Sequence, residues 1–206
     1  MKKKYFIIPK MEVDNYEATI RSKNDYYKLL FKSIQLILAS TPTTRSSNNV
    51  IVVHIDKTSR LIYKTNTRLF SINFPFTMIE KDDDFEICLH SCKIDSYICS
   101  VFIGLLESTP VDMEDLLERI YDEDIPTDKS KELIEILSAL NETDSGYVRF
   151  DCDIEHEKGK KHPKFHFDIF FDTNIDVKIG LTENLSLSRF TDIIDLSTNC
   201  WYLKNK

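Results

Sequence analysis

Apolar positions recur along the chain in two ways, and the switches between them lay out its elements. Short apolar or alternating runs bounded by turn residues predict strands at 4–8, 50–55, 61–64, 69–74, 85–93, 97–105, 147–155, 164–171 and 175–181. The run 97–105 is apolar on both alternating faces, which fits a central strand covered on two sides; the pattern alone also fits a buried helix. Helical spacing appears in four places. Asn24 caps a helix with the stripe Tyr27, Leu30, Phe31, Ile34, Ile37, Leu38, which ends before Thr41-Pro42. Thr109-Pro110 begins a second, with Met113, Leu116, Leu117 and Ile120, and Pro126 ends it. Thr127 caps a third, with Leu133, Ile136, Leu137 and Leu140, making a helical hairpin over about 110–141. The last starts at Ser186 or Ser188 and carries Leu187, Phe190, Ile193 and Ile194. Strands in adjacent runs with helices singly or in a pair predict one α+β domain over 1–206, with a mainly antiparallel sheet and helices packed on it.

One predicted hairpin, 147–171, combines core and chemistry. Alternation puts Phe150, Cys152 and Ile154 on one face of its first strand and Arg149, Asp151 and Asp153 on the other. Its second strand puts Phe165, Phe167 and Ile169 one way and Lys164, His166 and Asp168 the other, with His162-Pro163 at the mouth of the loop. The apolar face predicts burial of Phe150, Ile154, Phe165, Phe167 and Ile169. The polar face gathers acids, a guanidinium and imidazoles, so Arg149, Asp151, Asp153, His162, His166 and Asp168 are the candidate binding residues.

Composition narrows the picture. Chemistry resting on glycine-rich phosphate loops is disfavoured by only 4 glycines in 206 residues. A net charge of −7 disfavours nucleic acid as the general partner, although Lys158, Lys160, Lys161 and Lys164 surround the hairpin loop as a local basic patch. Five irregularly spaced cysteines fit reduced thiols used as small hydrophobes, and the basic start is followed by an apolar run too short for a signal peptide, so a cytoplasmic protein away from membranes is expected. Cys88, His90 and Cys92 fall on one face of the predicted strand 85–93, a conceivable zinc set without a fourth ligand at finger-like spacing.

Arg149-Phe150-Asp151, then His162-Pro163-x-x-His166, a following strand and a helix with the aromatic Phe190 resemble the C-terminal signature of an uncharacterised prokaryotic family, domain of unknown function 2290. The resemblance covers 146–202. It implies a bacterial gene carried near mobile-element or antiviral-defence genes, and it supplies positions rather than a reaction. Where the family's next strand carries Arg-Ile-Pro, this chain has Lys178-Ile179-Gly180, which weakens any bidentate grip on an anion there.

No serine or cysteine nucleophile pairs with a histidine by sequence, so no catalytic residue is assigned and no cofactor is expected. The leading expectation is a non-enzymatic component of a multi-protein system that meets a protein partner through the hairpin face. The alternative is a metal-dependent hydrolase or nuclease using the same face, and a small-molecule sensor ranks third.

Overall fold

A computed structural model describes residues 3–17, 20–44, 47–55, 57–81, 84–107, 112–122, 125–169 and 177–202. In chain order the elements are β1 (Lys3–Ile7), α1 (Val13–Glu17), α2 (Lys23–Leu38), β2 (Val50–Ile55), β3 (Ser59–Lys64), β4 (Leu69–Asn73), β5 (Thr77–Lys81), β6 (Asp84–Leu89) and β7 (Cys92–Ile94). Then follow α3 (Ser96–Glu107), α4 (Met113–Asp122), α5 (Thr127–Asn141), β8 (Val148–Cys152), β9 (Phe165–Ile169), β10 (Val177–Leu181) and α6 (Leu187–Ile194). The fold is α+β with antiparallel sheets. No helix among the described residues is long and apolar enough to cross a membrane.

The backbone divides into two compact units, one from 1–18, 43–73 and 146–206 and the other from 19–42 and 74–145. The first holds a seven-stranded sheet in the order β1-β2-β3-β4-β8-β9-β10. Its β-branched run Val50-Ile51-Val52-Val53 is buried on both faces. On one face Val50, Val52, Ile62, Leu69, Phe150 and Phe167 pack with Leu185 and Phe190, and the amphipathic α6 covers them with Leu187, Ile193 and Ile194 half-buried. Burying Phe190 completely contributes about 2–3 kcal/mol. Ser186 caps α6, its hydroxyl accepting from Arg189 N at 3.2 Å. On the other face Tyr16 of α1 stacks on Tyr63, and Tyr63 stacks on Phe70 with ring centroids 4.5 Å apart.

The second unit contains α2–α5 and the small sheet β5-β6-β7. Its helical hairpin of α4 and α5 is present, with Leu116, Ile120, Leu133, Ile136, Leu137 and Leu140 buried. Several local expectations need correcting. The run 97–105 is helical: Asp95 accepts from Ile98 N at 2.9 Å to start α3, and Ile98, Cys99, Phe102, Leu105 and Leu106 are buried at helical spacing. Phe102 stacks on Phe31 of α2 at 4.3 Å, so apolar character all round marks a helix inside its own unit. The predicted strand 85–93 is two strands joined at His90-Ser91, and His90 takes the positive φ of 52° that the tight turn requires. Ser22, with Asp25 in a capping box, starts α2 in place of Asn24. Thr127 is the first helical residue of α5, after Pro126 at the cap position. Thr109-Pro110 lies outside the described residues, as do 170–176.

Candidate functional site

The hairpin of β8 and β9 forms with Arg149 opposite Asp168 and Asp151 opposite His166. Register extends both rows sideways: Phe70 of β4 lies beyond Arg149, Lys178 of β10 beyond Asp168, and Gly180 beyond His166. The charged side chains therefore continue the aromatic face of Tyr63 and Phe70 rather than facing open water. Burial follows from that position, with His166 at 1 % and Asp168 at 6 % exposure.

At the centre is a closed ionic network. Arg149 donates from Nε to Asp151 Oδ2 at 2.9 Å, from its terminal nitrogen Nη2 to Asp168 Oδ2, and from Nη1 to the Tyr147 hydroxyl at 3.3 Å. Lys178 Nζ donates to Asp168 Oδ1 at 2.6 Å. Burial pushes the Asp168 carboxyl up, but the Lys178 hydrogen bond and the Arg149 charge outweigh it and hold the group below the carboxylate range. Arg149 moves the other way and is raised: burial lowers it, and the surrounding Tyr147, Asp151 and Asp168 more than compensate.

His166 is oriented by its own loop. Its Nδ1 lies 2.8 Å from the Pro163 carbonyl, an acceptor only, so Nδ1 carries the proton and Nε2 faces Asp168 Oδ1 at 3.6 Å and Asp151 Oδ2 at 3.8 Å. Pro163 in turn fills the space above Gly180, where an added Cβ would meet Pro163 Cγ at 2.8 Å. The His162 backbone, at φ −144° and ψ 85°, stays clear of the helical region as the residue before proline should.

The candidates thus separate into two groups. Arg149, Asp151, His166 and Asp168 come together in the network. Asp153 lies just beyond the end of β8 and makes a second group in the loop: it accepts from His156 N at 3.0 Å, sits 3.0 Å from His156 Nδ1, and approaches His162 Nε2 at 3.3 Å without hydrogen-bond alignment. The His156 amide, helped by its ring, holds Asp153 below the usual carboxylate range. The two groups touch through His162 and His166, whose rings meet edge to face at 4.7 Å.

No family model, curated protein or solved structure matches the chain. Ile154, expected in the core, is 65 % exposed because β8 ends at Cys152 and the chain turns at Asp153. Phe150 and Phe167 are buried as expected, while Phe165 and Ile169 are half-buried. Lys164, expected beside the aspartates, lies over the Phe165 ring at 5.1 Å, and Lys178 takes that place instead. Lys178 and Tyr147 are the two members of the network that the sequence candidates omitted. Cys88, His90 and Cys92 do not share one strand face: the turn intervenes, His90 is exposed and Cys92 is buried.

Beside the network, a groove of about 620 Å³ is bordered by Arg68, Arg149, Asp151, Asp153, Ile154 and His156. Chemically the arrangement offers a rigid charged base, an imidazole of defined tautomer and an exposed loop tip. That tip presents Ile154, Glu155, His156, Glu157, Lys158, Lys160 and Lys161 to solvent.

Proposed function

We propose that the chain is a non-enzymatic binding component of a multi-protein prokaryotic system, and that it recognises a protein partner through the hairpin 147–171. The observation that carries this reading is the self-neutralised network beneath an exposed tip. Two cations, Arg149 and Lys178, already hold the two carboxylates Asp151 and Asp168. Such a base stiffens the hairpin, while an exposed isoleucine among charges of both signs offers apolar contact area and partner discrimination. The resemblance to domain of unknown function 2290 supports placing the gene among mobile-element or antiviral-defence genes, with the partner encoded beside it.

The test is co-expression with the products of the neighbouring genes. Ile154→Asp and the pair Lys160→Glu with Lys161→Glu alter only the exposed tip, so they should abolish co-purification while leaving the melting curve of the isolated chain unchanged. Undiminished co-purification of both variants would refute the assignment of the surface. A second reading, a metal-dependent hydrolase or nuclease, draws on the close approach of Asp151, His166 and Asp168. Metal-dependent cleavage of nucleic acid by the wild type that Asp168→Asn removes would establish it in place of the first.

A further inference from the structure

Asp151, His166 and Asp168 each offer one ligand atom, and these atoms lie within 4.8 Å of one another. The set is held by backbone pairing: His166 and Asp168 share a face of β9, and Asp151 stands directly across from His166 on β8. The imidazole is already prepared, because Pro163 O occupies Nδ1–H and leaves the Nε2 lone pair directed at the carboxylates. A backbone carbonyl on the far ring nitrogen is one of the common outer partners of a metal-bound histidine, with carboxylates and water. Lone pairs converging in this way repel one another unless positive charge lies close by.

In the structure Arg149 and Lys178 supply that charge, and they differ in how firmly they are placed. Arg149 is wedged among Tyr147, Asp151 and Asp168, with its side chain 18 % exposed. Lys178 stands on the terminal strand of the sheet and reaches Asp168 Oδ1 on a flexible stem, with its side chain 28 % exposed. Its ammonium holds the same oxygen that lies 3.6 Å from His166 Nε2.

We propose that Asp151, His166 and Asp168 form a binding site for a divalent transition-metal ion of the zinc class, which enters by displacing the Lys178 ammonium from Asp168. The mixed nitrogen and oxygen donors suit zinc and its neighbours, whereas calcium takes six to eight oxygens and magnesium an octahedron of oxygens rich in water. Three protein ligands leave at least one coordination position to a non-protein ligand, and Asp151 alone of the three borders the groove. The ion brings two charges where the lysine brought one, so the occupied site also favours a small anion or hydroxide. The inference concerns the ion alone and holds whether or not the hairpin tip meets a partner.

The experiment is calorimetric titration of the metal-stripped full chain with Zn²⁺, alongside Co²⁺ titration followed by visible absorption. The wild type should bind one equivalent, and His166→Gln should bind roughly a hundredfold more weakly and lose the Co²⁺ bands. Lys178→Met, which removes the competing charge at similar length, should tighten binding by roughly tenfold, whereas Lys178→Arg should not. His156→Ala, in the separate loop group, should leave affinity within about twofold, which excludes that group as the site. Wild-type affinity in His166→Gln, no tightening in folded Lys178→Met, or no stoichiometric binding by the wild type overturns the proposal. Folding of Lys178→Met is verified by circular dichroism; if it fails to fold, the wild type and His166→Gln decide between them.

Discussion

Asp168 accepts from Arg149 with one oxygen and from Lys178 with the other, so its charge is committed on both sides. Asp168→Asn keeps the shape and removes the charge, leaving two cations against one carboxylate in a mostly buried setting. The expected cost is about 3 kcal/mol, measured as a lowered urea midpoint. Acid provides a second check. Asp168 and Asp153 are both held below their ordinary value of 3.8, so the unfolded chain takes up protons that the folded chain refuses. Their contribution to stability is complete above that value and is lost as pH falls through the lower folded values. Stability should therefore hold between about pH 7 and pH 5 and decline below about pH 4, with a shallower acid decline in Asp168→Asn. At this scale the charged row was visible in sequence, because alternation alone puts Arg149, Asp151, His166 and Asp168 on one face. Lys178 was not, since its place depends on β10 pairing with β9, and no local pattern records which strand lies beside which.

The hairpin is held as an element by a contact between its loop and the next strand. Pro163 lies over Gly180 while its carbonyl holds His166, so one residue positions both the loop and the imidazole. Gly180→Ala drives a methyl into a rigid ring and should cost about 1–3 kcal/mol. In the double variant with Pro163→Ala much of that cost should disappear, giving a double-mutant coupling of roughly 1 kcal/mol or more. Additive losses in chemical denaturation would show that the contact does not hold the loop. Element boundaries also account for where the structure departs from the sequence pattern. Ile154 was assigned to the core by extending the strand past Cys152, yet Asp153 bonds the His156 amide and turns the chain outward. The run 97–105 was taken for a strand, with a buried helix as the alternative, because an apolar run buried on all sides has no visible period; the informative signal was the cap, Asp95, just ahead of it.

At the scale of the whole chain, the seven-stranded sheet is assembled from separated stretches. β1 to β4 come from the first 73 residues, and β8 to β10 arrive only after residue 146. Adjacent strands in sequence were predictable as hairpins, but the joining of β4 to β8, Phe70 opposite Arg149, links stretches far apart in the chain and leaves no local pattern. A chain cut after Ser145 loses three strands and α6, leaving Val50, Val52, Ile62 and Leu69 without Phe150, Phe167 and Phe190. Expressed alone it should be insoluble or lack cooperative thermal unfolding, as followed by sedimentation and circular dichroism.

The long reach from Ser71 to Val148 also has a bearing on how the protein is made. On a ribosome adding about 5–20 residues per second, β4 emerges several seconds before the strand that will cover its edge. During that interval the nascent chain displays an unpaired edge beside the half-built face of Val50, Val52 and Ile62, the kind of surface on which neighbouring copies join. Yield in a cell should then depend on translation speed and on holding chaperones, with slowly translated codons after residue 73 lengthening the exposure and faster ones shortening it.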